Sequence, residues 1–291
     1  MVRRALSIAA LMLLGGCAAL PAGGGREYLE VETLGALGKE VGESSALALR
    51  NGELWTLNDS GNGPLLYKLS IQGEIERRVR LGNAVNIDWE SMASDESYLY
   101  VADCGNNSGR REWLQLYSVP WERLLGAPHQ DSLDVEYIEF SLADPAPVAA
   151  PQAHDNDCEA VAAVEGEIWL LTKGWAGLNS RFYRLDPGRV GQAIRTEAVW
   201  PVGGLVTGMD YSARRNELVV LGYTLGRLSS EAFIWRVPVR GRTPDWSSAK
   251  RYTLWPSGQW EAVVWQGDEL LLTREDSLMG EARLGRVRLE Q

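Results

Sequence analysis

Leu54-Trp55-Thr56-Leu57-Asn58 begins just after the turn pair Asn51-Gly52 and runs into Asp59-Ser60-Gly61-Asn62. A short run of β-branched, aromatic and apolar residues bounded by turn residues reads as a strand. This one recurs. Tyr98-Leu99-Tyr100-Val101-Ala102, Ile168-Trp169-Leu170-Leu171-Thr172, Leu218-Val219-Val220-Leu221-Gly222 and Leu270-Leu271-Leu272-Thr273-Arg274 are of the same kind, with Glu165-Gly166 and Gln266-Gly267-Asp268 as further turns. Before each lies a candidate first strand, at 46–49, 91–94, 160–164, 210–213 and 262–265. A third strand follows, as at 65–69 and 182–185, and a fourth at 76–81, 135–142, 195–200 and 250–254. Helical periodicity is hard to find, so the class is all-β.

Four-stranded units repeating at this spacing are the signature of propeller blades. Five units predict a five-bladed β-propeller. The last reaches the C-terminus after three strands, and residues 28–34 are the natural donor of its fourth, which closes the ring without a free edge. A six-bladed ring, a β-sandwich and an open array are the alternatives, since periodic strands alone do not fix closure. The long second interval is assigned to a loop from Asp144 to Asp157 that holds Pro145, Pro147, Pro151 and His154. Of the 12 tryptophans, Trp55, Trp169 and Trp235 lie in strands and are expected between blades. Trp89, Trp175 and Trp260 fall on loops and are the candidates for stacking on a sugar.

The N-terminus carries Arg3-Arg4, an apolar run over 5–14 and Gly15-Gly16 before Cys17, the plan of a secretory signal peptide. The run is too short to span a bilayer. Leu14-Gly15-Gly16-Cys17 resembles the lipobox of bacterial lipoproteins, in which the cysteine is lipidated and becomes the new terminus. Residues 1–16 are therefore expected to be removed, 17–26 to form a lipidated tether, and 27–291 to form one propeller domain. Ala18 in place of Asp resembles the sorting signal for the outer membrane, which would hold the body in the periplasm. Its membrane contact would be through the lipid on Cys17. The formal net charge is −10, and losing Arg3 and Arg4 deepens it. Nucleic acid is excluded as a partner on electrostatic grounds, and a monomer is expected. His129 and His154 are the two histidines, which limits zinc and histidine-base chemistry.

An acidic pattern precedes four of the five first strands: Glu43-Ser44-Ser45, Asp88-Trp89-Glu90, Asp157-Cys158-Glu159 and Gln259-Trp260-Glu261, against Thr207-Gly208-Met209 in the fourth. In register after the second strands stand Asp59, Asp103, Lys173, Tyr223 and Glu275. Loops before a first strand and after a second strand lie on one propeller face, so two acidic rings converge there. Asn58, Asn106, Asn107 and Glu261 complete the expected ligand pocket with Glu43, Asp59, Asp88, Asp103 and Lys173. Carboxylates about 5 Å apart repel by about 3 kcal/mol per pair at an effective dielectric near 20. Protonation, basic neighbours (Lys173, Arg110, Arg111, Arg274) or a hard cation could balance them. Carboxylate and amide oxygens favour Ca²⁺, with Glu90 and Glu159 as the expected ligands. The plainer readings are hairpin turns for Asp-x-Gly-Asn and glutamate-to-backbone bonds between blades.

Cys104 follows the second strand of the second blade and Cys158 precedes the first strand of the third. Ring geometry brings them near each other, and an exported protein meets an oxidising compartment. A disulfide is predicted. Free buried cysteines, or a zinc site with His154, are the other readings.

From Glu43 to Glu275 the motifs resemble a family of bacterial propellers named for an esterase-like activity of phytase, and more loosely the calcium-dependent lactonase and paraoxonase-like propellers. The matching pieces are Glu43-Ser44-Ser45-Ala46, Trp55-Thr56-Leu57-Asn58-Asp59, Asp88-Trp89-Glu90, Asp103-x-Gly-x-Asn107, Asp157-x-Glu159, Leu171-Thr172-Lys173 and Val206-Thr207-Gly208-Met209-Asp210. The sequence departs from the resembled pattern at Asn106, where a second Asp is usual, and at Cys104 and Cys158. Two functions follow as expectations. The first is an envelope lipoprotein whose face binds a ligand or protein partner with a cation ordering the loops. The alternative is a metal-dependent hydrolase of an ester, lactone or phosphoester, with His154 or Asp157 activating water.

Overall fold

A computed structural model describes residues 27–126, 131–144, 147–226, 230–277 and 280–289. The leader, Cys17, the tether, His129 and Pro145 lie outside the described residues. Five small sheets form the five blades of a propeller, and the innermost strands pack on one another in cyclic order, the fifth against the first.

Blade I runs Ser44–Arg50, Glu53–Asn58, Leu65–Leu69 and Ile75–Leu81. Blade II runs Trp89–Ser94, Tyr98–Asp103, Leu114–Pro120 and Glu136–Leu142, and blade III Asp157–Val164, Glu167–Lys173, Ser180–Leu185 and Ala198–Trp200. Blade IV is Leu205–Ser212, Glu217–Tyr223, Ala232–Arg240 and Lys250–Trp255. Blade V takes Trp260–Gln266, Glu269–Arg274 and Arg283–Arg288 from the C-terminal end and Glu32–Ala36 from the N-terminal end.

Burial follows position. The outer strand Ile75–Leu81 alternates between covered and open residues, whereas Ser44–Arg50 and Trp89–Ser94 are buried along almost their whole length because blades flank them on both sides. Each pair of neighbouring blades encloses its own apolar cluster, five in all. The first and second strands are joined by tight turns in which Asn51-Gly52 and Glu165-Gly166 all take positive φ, as a primed hairpin turn requires.

Three features differ from the sequence reading. Residues 28–34 are not one strand. Glu27–Glu30 lies parallel on the outer edge of blade IV, and only Glu32–Ala36 closes blade V. The break falls at Val31, whose N–H donates to the Trp255 carbonyl and whose side chain fills the cluster between these blades. The same device recurs: Ser132–Leu133 lies parallel on the edge of blade I and Gln192–Ile194 on that of blade II, each just before the outer strand of the following blade. These added strands strap neighbours together and cover edges that would otherwise offer unpaired amides.

Second, the excess of the long interval is not all in the loop from Asp144 to Asp157. Part of it is the helix Trp121–Gly126, whose Trp121 and Leu124 fill the cluster between blades I and II. Third, Trp89 and Trp260 are not loop residues; both begin inner strands and are fully buried. Their indole N–H groups donate to the carbonyls of Val85 and Pro256, which leaves no face for a sugar.

Candidate functional site

All five inner strands carry a register shift at the same place: between Ser44 and Ala46, Trp89 and Ser91, Cys158 and Ala160, Val206 and Gly208, and Trp260 and Ala262. The residues skipped are Ser45, Glu90, Glu159, Thr207 and Glu261. A β-bulge bends its strand and re-aims the extra side chain, and all five line one cavity of 210 Å³ near the propeller axis. The register residues Asp59, Lys173, Tyr223 and Glu275 line it too, with Asn107, Gln152, Trp175 and Gln259.

The five bulge residues divide into two kinds. Thr207 Oγ1 donates to the Trp260 carbonyl at 2.9 Å and Ser45 Oγ to the Trp89 carbonyl at 3.4 Å, so each hydroxyl ties its blade to the next. The glutamates make no such bond. Glu159 Oε2 accepts from Lys173 Nζ at 3.0 Å. Glu90 and Glu261 are 6% and 7% exposed. Their carboxyls have no hydrogen-bond partner among the described residues. Both side chains open onto the cavity and neither ties one blade to the next, so the structural role of the two hydroxyls does not account for them.

Asp59, Asp88 and Glu90 each offer an oxygen, all within 4.8 Å of one another. Asn86 holds this group in place: its side-chain amide donates to the Asn58 and Asp59 carbonyls, and its Oδ1 accepts from the Trp89 N–H. Crowding shifts the acids. Burial, then Asp59 and Asp157, push Asp88 up to about 6. Burial and the Glu159 carboxylate push Glu90 well up. On the far side of the pocket, burial raises Glu261 to about 7, and burial with Glu261 and Asp59 raises Glu275 to about 9. Burial alone would lower Lys173; the carboxylates of Glu159 and Glu261 overcome it and keep the ammonium charged.

Gly105 packs directly on the acid cluster. A Cβ there would fall inside van der Waals distance of Glu90 Oε1 and Asp88 Oδ2. Gly105→Ala is therefore expected to push both carboxylates out of position. A loss of cation affinity of tenfold or more, at nearly unchanged secondary structure, is the outcome a cation titration should read.

Not every expected residue lines the cavity. Asp103 is fully buried, pairs with Arg111 at 2.8 Å and accepts the N–H groups of Ile87 and Asp88 at 3.1 Å, so it sets the backbone that carries Asp88. Asn106 bonds the Arg111 backbone, and Asn58 donates to the Glu40 carbonyl. Glu43 is exposed and accepts from Asn62. Asn107 does line the cavity, with its carbonyl accepting from Gln152.

Asp157 accepts the Asn106 N–H at 2.6 Å on one oxygen and the Trp175 indole N–H at 2.7 Å on the other. His154 is buried, with Nδ1 accepting from the Asn156 N–H and Nε2 on the Asn107 carbonyl at 3.1 Å. Both of its nitrogens are occupied by backbone. Arg111 sits on Asp103, and Arg274 bonds the Glu281 carbonyl and covers Trp260, so neither lines the pocket; Arg110 is exposed. Cys104 and Cys158 form the expected disulfide. The zinc reading of these cysteines with His154 is thereby overturned, because oxidised sulfurs are not thiolate ligands. Asn86 and Gln152 carry no acidic or repeated signal that would single them out in the sequence, whereas Ser45 and Gly105 lie within the repeated motifs Glu-Ser-Ser and Asp-x-Gly-Asn.

No family model matches the sequence, and a search of curated proteins returns no match. Among solved structures, an α-L-arabinofuranosidase of Podospora anserina, determined with cellotriose, aligns at 9% identity and a TM-score of 0.50 over 91% of this chain and 98% of that one. The catalytic domain of a Coprinopsis cinerea GH62 α-L-arabinofuranosidase aligns at 9% identity, TM-score 0.49, over 90% and 96%. Hydrazine synthase of Kuenenia stuttgartiensis aligns at 13% identity, TM-score 0.43, over 80% of this chain but only 56% of that one. The likeness to the first of these is one of fold.

Proposed function

We propose that this chain is a lipid-anchored envelope protein whose propeller face binds a ligand or protein partner at an axial pocket ordered by a divalent cation. The observation that carries the reading is the pair Glu90 and Glu261: buried, aimed into the cavity, and without hydrogen-bond partners among the described residues. The donor set is all oxygen, which suits a hard cation such as Ca²⁺, with Asp59, Asp88 and Glu90 as the residues that would hold it. A cation bound there would neutralise the cluster and offer its remaining coordination positions to water or ligand. Glu159, expected as a ligand, is committed to Lys173. The motifs from Glu43 to Glu275 support grouping the chain with the esterase-like phytase propellers. The hydrolase alternative finds no support at His154 or Asp157, whose polar atoms are already bonded.

The cation is tested by melting the protein across pH. Asp88, Glu261 and Glu275 have folded-state values of about 6, 7 and 9, above their ordinary values of 3.8, 4.5 and 4.5. A raised carboxyl holds its proton in the folded chain after the unfolded chain has lost it, so stability falls as pH rises from about 4 through these values. Cation-free protein is therefore expected to melt lower at pH 8 than at pH 5. Millimolar Ca²⁺ should offset that loss at pH 8, and Glu90→Gln should abolish the offset. A melting temperature indifferent to Ca²⁺ and chelator at pH 8 would sink the cation. The anchor is tested separately: Cys17→Ser should move the protein from the membrane to the soluble fraction, and unchanged membrane association would refute it.

A further inference from the structure

The blade V side of the pocket differs from the cluster at Asp59, Asp88 and Glu90. Glu261 and Glu275 face the cavity beside Tyr223, and among the described residues none of these three side chains has a hydrogen-bond partner. Lys173, the cation within electrostatic reach, is hydrogen-bonded to Glu159 and lies over the Trp175 ring at 5.2 Å. Among the described residues, a set of three acidic side chains close enough to share a metal occurs only at Asp59, Asp88 and Glu90. Blade V offers two carboxyls, and Tyr223 of neighbouring blade IV adds a phenol. Three separate acceptors match an ammonium group, which carries three donors and no acceptor.

Size and surroundings narrow the bearer of that group. The cavity, at 210 Å³, is below the roughly 300 Å³ at which pockets for drug-sized molecules begin, so it suits a single extended side chain. The loops that supply the pocket also carry exposed apolar residues near its lining residues in sequence. Ile87 adjoins Asp88, Leu178 shares a loop with Trp175, Leu225 follows Tyr223, and Val148 shares the loop of Gln152. Trp255 stands at 65% exposure near Gln259. An acidic well whose loops bear exposed apolar side chains is complementary to a cation flanked by apolar residues, and the net charge of −10 favours the approach of such a partner.

We propose that the partner is a protein segment that inserts a lysine ammonium between Glu261, Glu275 and Tyr223 while its apolar neighbours meet the exposed apolar side chains of these loops. The inference deepens the reading of the pocket as a ligand site and does not depend on the cation. Its probe is a blocked Ala-Leu-Lys-Leu-Ala peptide, titrated calorimetrically into the full-length protein in detergent at low ionic strength. One-site binding is expected, weakened tenfold or more when norleucine replaces lysine and by the double variant Glu261→Gln/Glu275→Gln. The norleucine comparison uses unaltered protein, so it stands even if the double variant folds poorly.

Equal binding of the norleucine peptide, or no heat up to millimolar peptide, overturns the proposal. Butylamine binding as tightly as the peptide also overturns it, by showing a site for free amines. The Ca²⁺ shift is read without peptide, so its loss would remove the cation and leave the lysine subsite to stand or fall on these titrations.

Discussion

Replacing Cys104 and Cys158 together by serine is expected to lower the melting temperature by on the order of 10 °C. The bond joins residues 54 apart in sequence and links the end of the second strand of blade II to the inner strand of blade III. Constraint of a loop that long in the unfolded chain stabilises the folded state by about 4 kcal/mol. Both cysteines are fully buried, and each adjoins the site: Gly105 follows Cys104, and Glu159 follows Cys158. The variant should lose cation affinity along with stability, because Gly105, which packs on Asp88 and Glu90, directly follows the freed Cys104. Reduction of the parent protein should reproduce the shift. A change of less than about 2 °C in both experiments would mean that blade packing alone holds this seam.

Lys173→Met is the second large effect. The Lys173 and Glu159 side chains are 10% and 3% exposed and 3.0 Å apart. Removing one partner of such a pair leaves a buried charge uncompensated, which costs about 3 kcal/mol or more. The loss should depend on pH. Burial already pushes Glu159 well above its ordinary 4.5, and Lys173 opposes that push. Without the ammonium the folded carboxyl rises further, so the variant's deficit should grow as pH rises from 5 to 8. Adding Glu159→Gln should recover much of the loss, since the pair is coupled. A deficit equal at pH 5 and pH 8, and unrelieved in the double variant, would show that Lys173 acts through packing alone.

Much of the site was legible because register was. Once the strands from Leu54, Tyr98, Ile168, Leu218 and Leu270 are aligned, Glu90, Glu159 and Glu261 fall at one position, and Asp59, Lys173 and Glu275 at another. Asp103 falls in the same register and yet serves the backbone of Ile87 and Asp88. Its neighbour Arg111 captures it through an eight-residue loop whose path no strand pattern specifies. His154 and Asp157 were drawn in for a similar reason. Their side-chain types suit water activation, but the loop folds back so that backbone atoms and Trp175 take their polar atoms. The N-terminal strand divides at Val31 without a sequence signal, because the crossing depends on the Trp255 carbonyl, far away in the chain.

By itself the sequence determined five repeating strand units, the turns between their strands and the position of each acidic side chain within its unit. These follow from local rules: strand length, turn chemistry and the spacing of one unit from the next. Only the tertiary structure decided which acids are free. The bulges turn Ser45 and Thr207 onto the next blade's carbonyls and Glu90 and Glu261 into the cavity, while Lys173 closes on Glu159. Whether a buried carboxyl is paired depends on atoms within a few ångströms, and those atoms come from neighbouring blades that are distant in sequence.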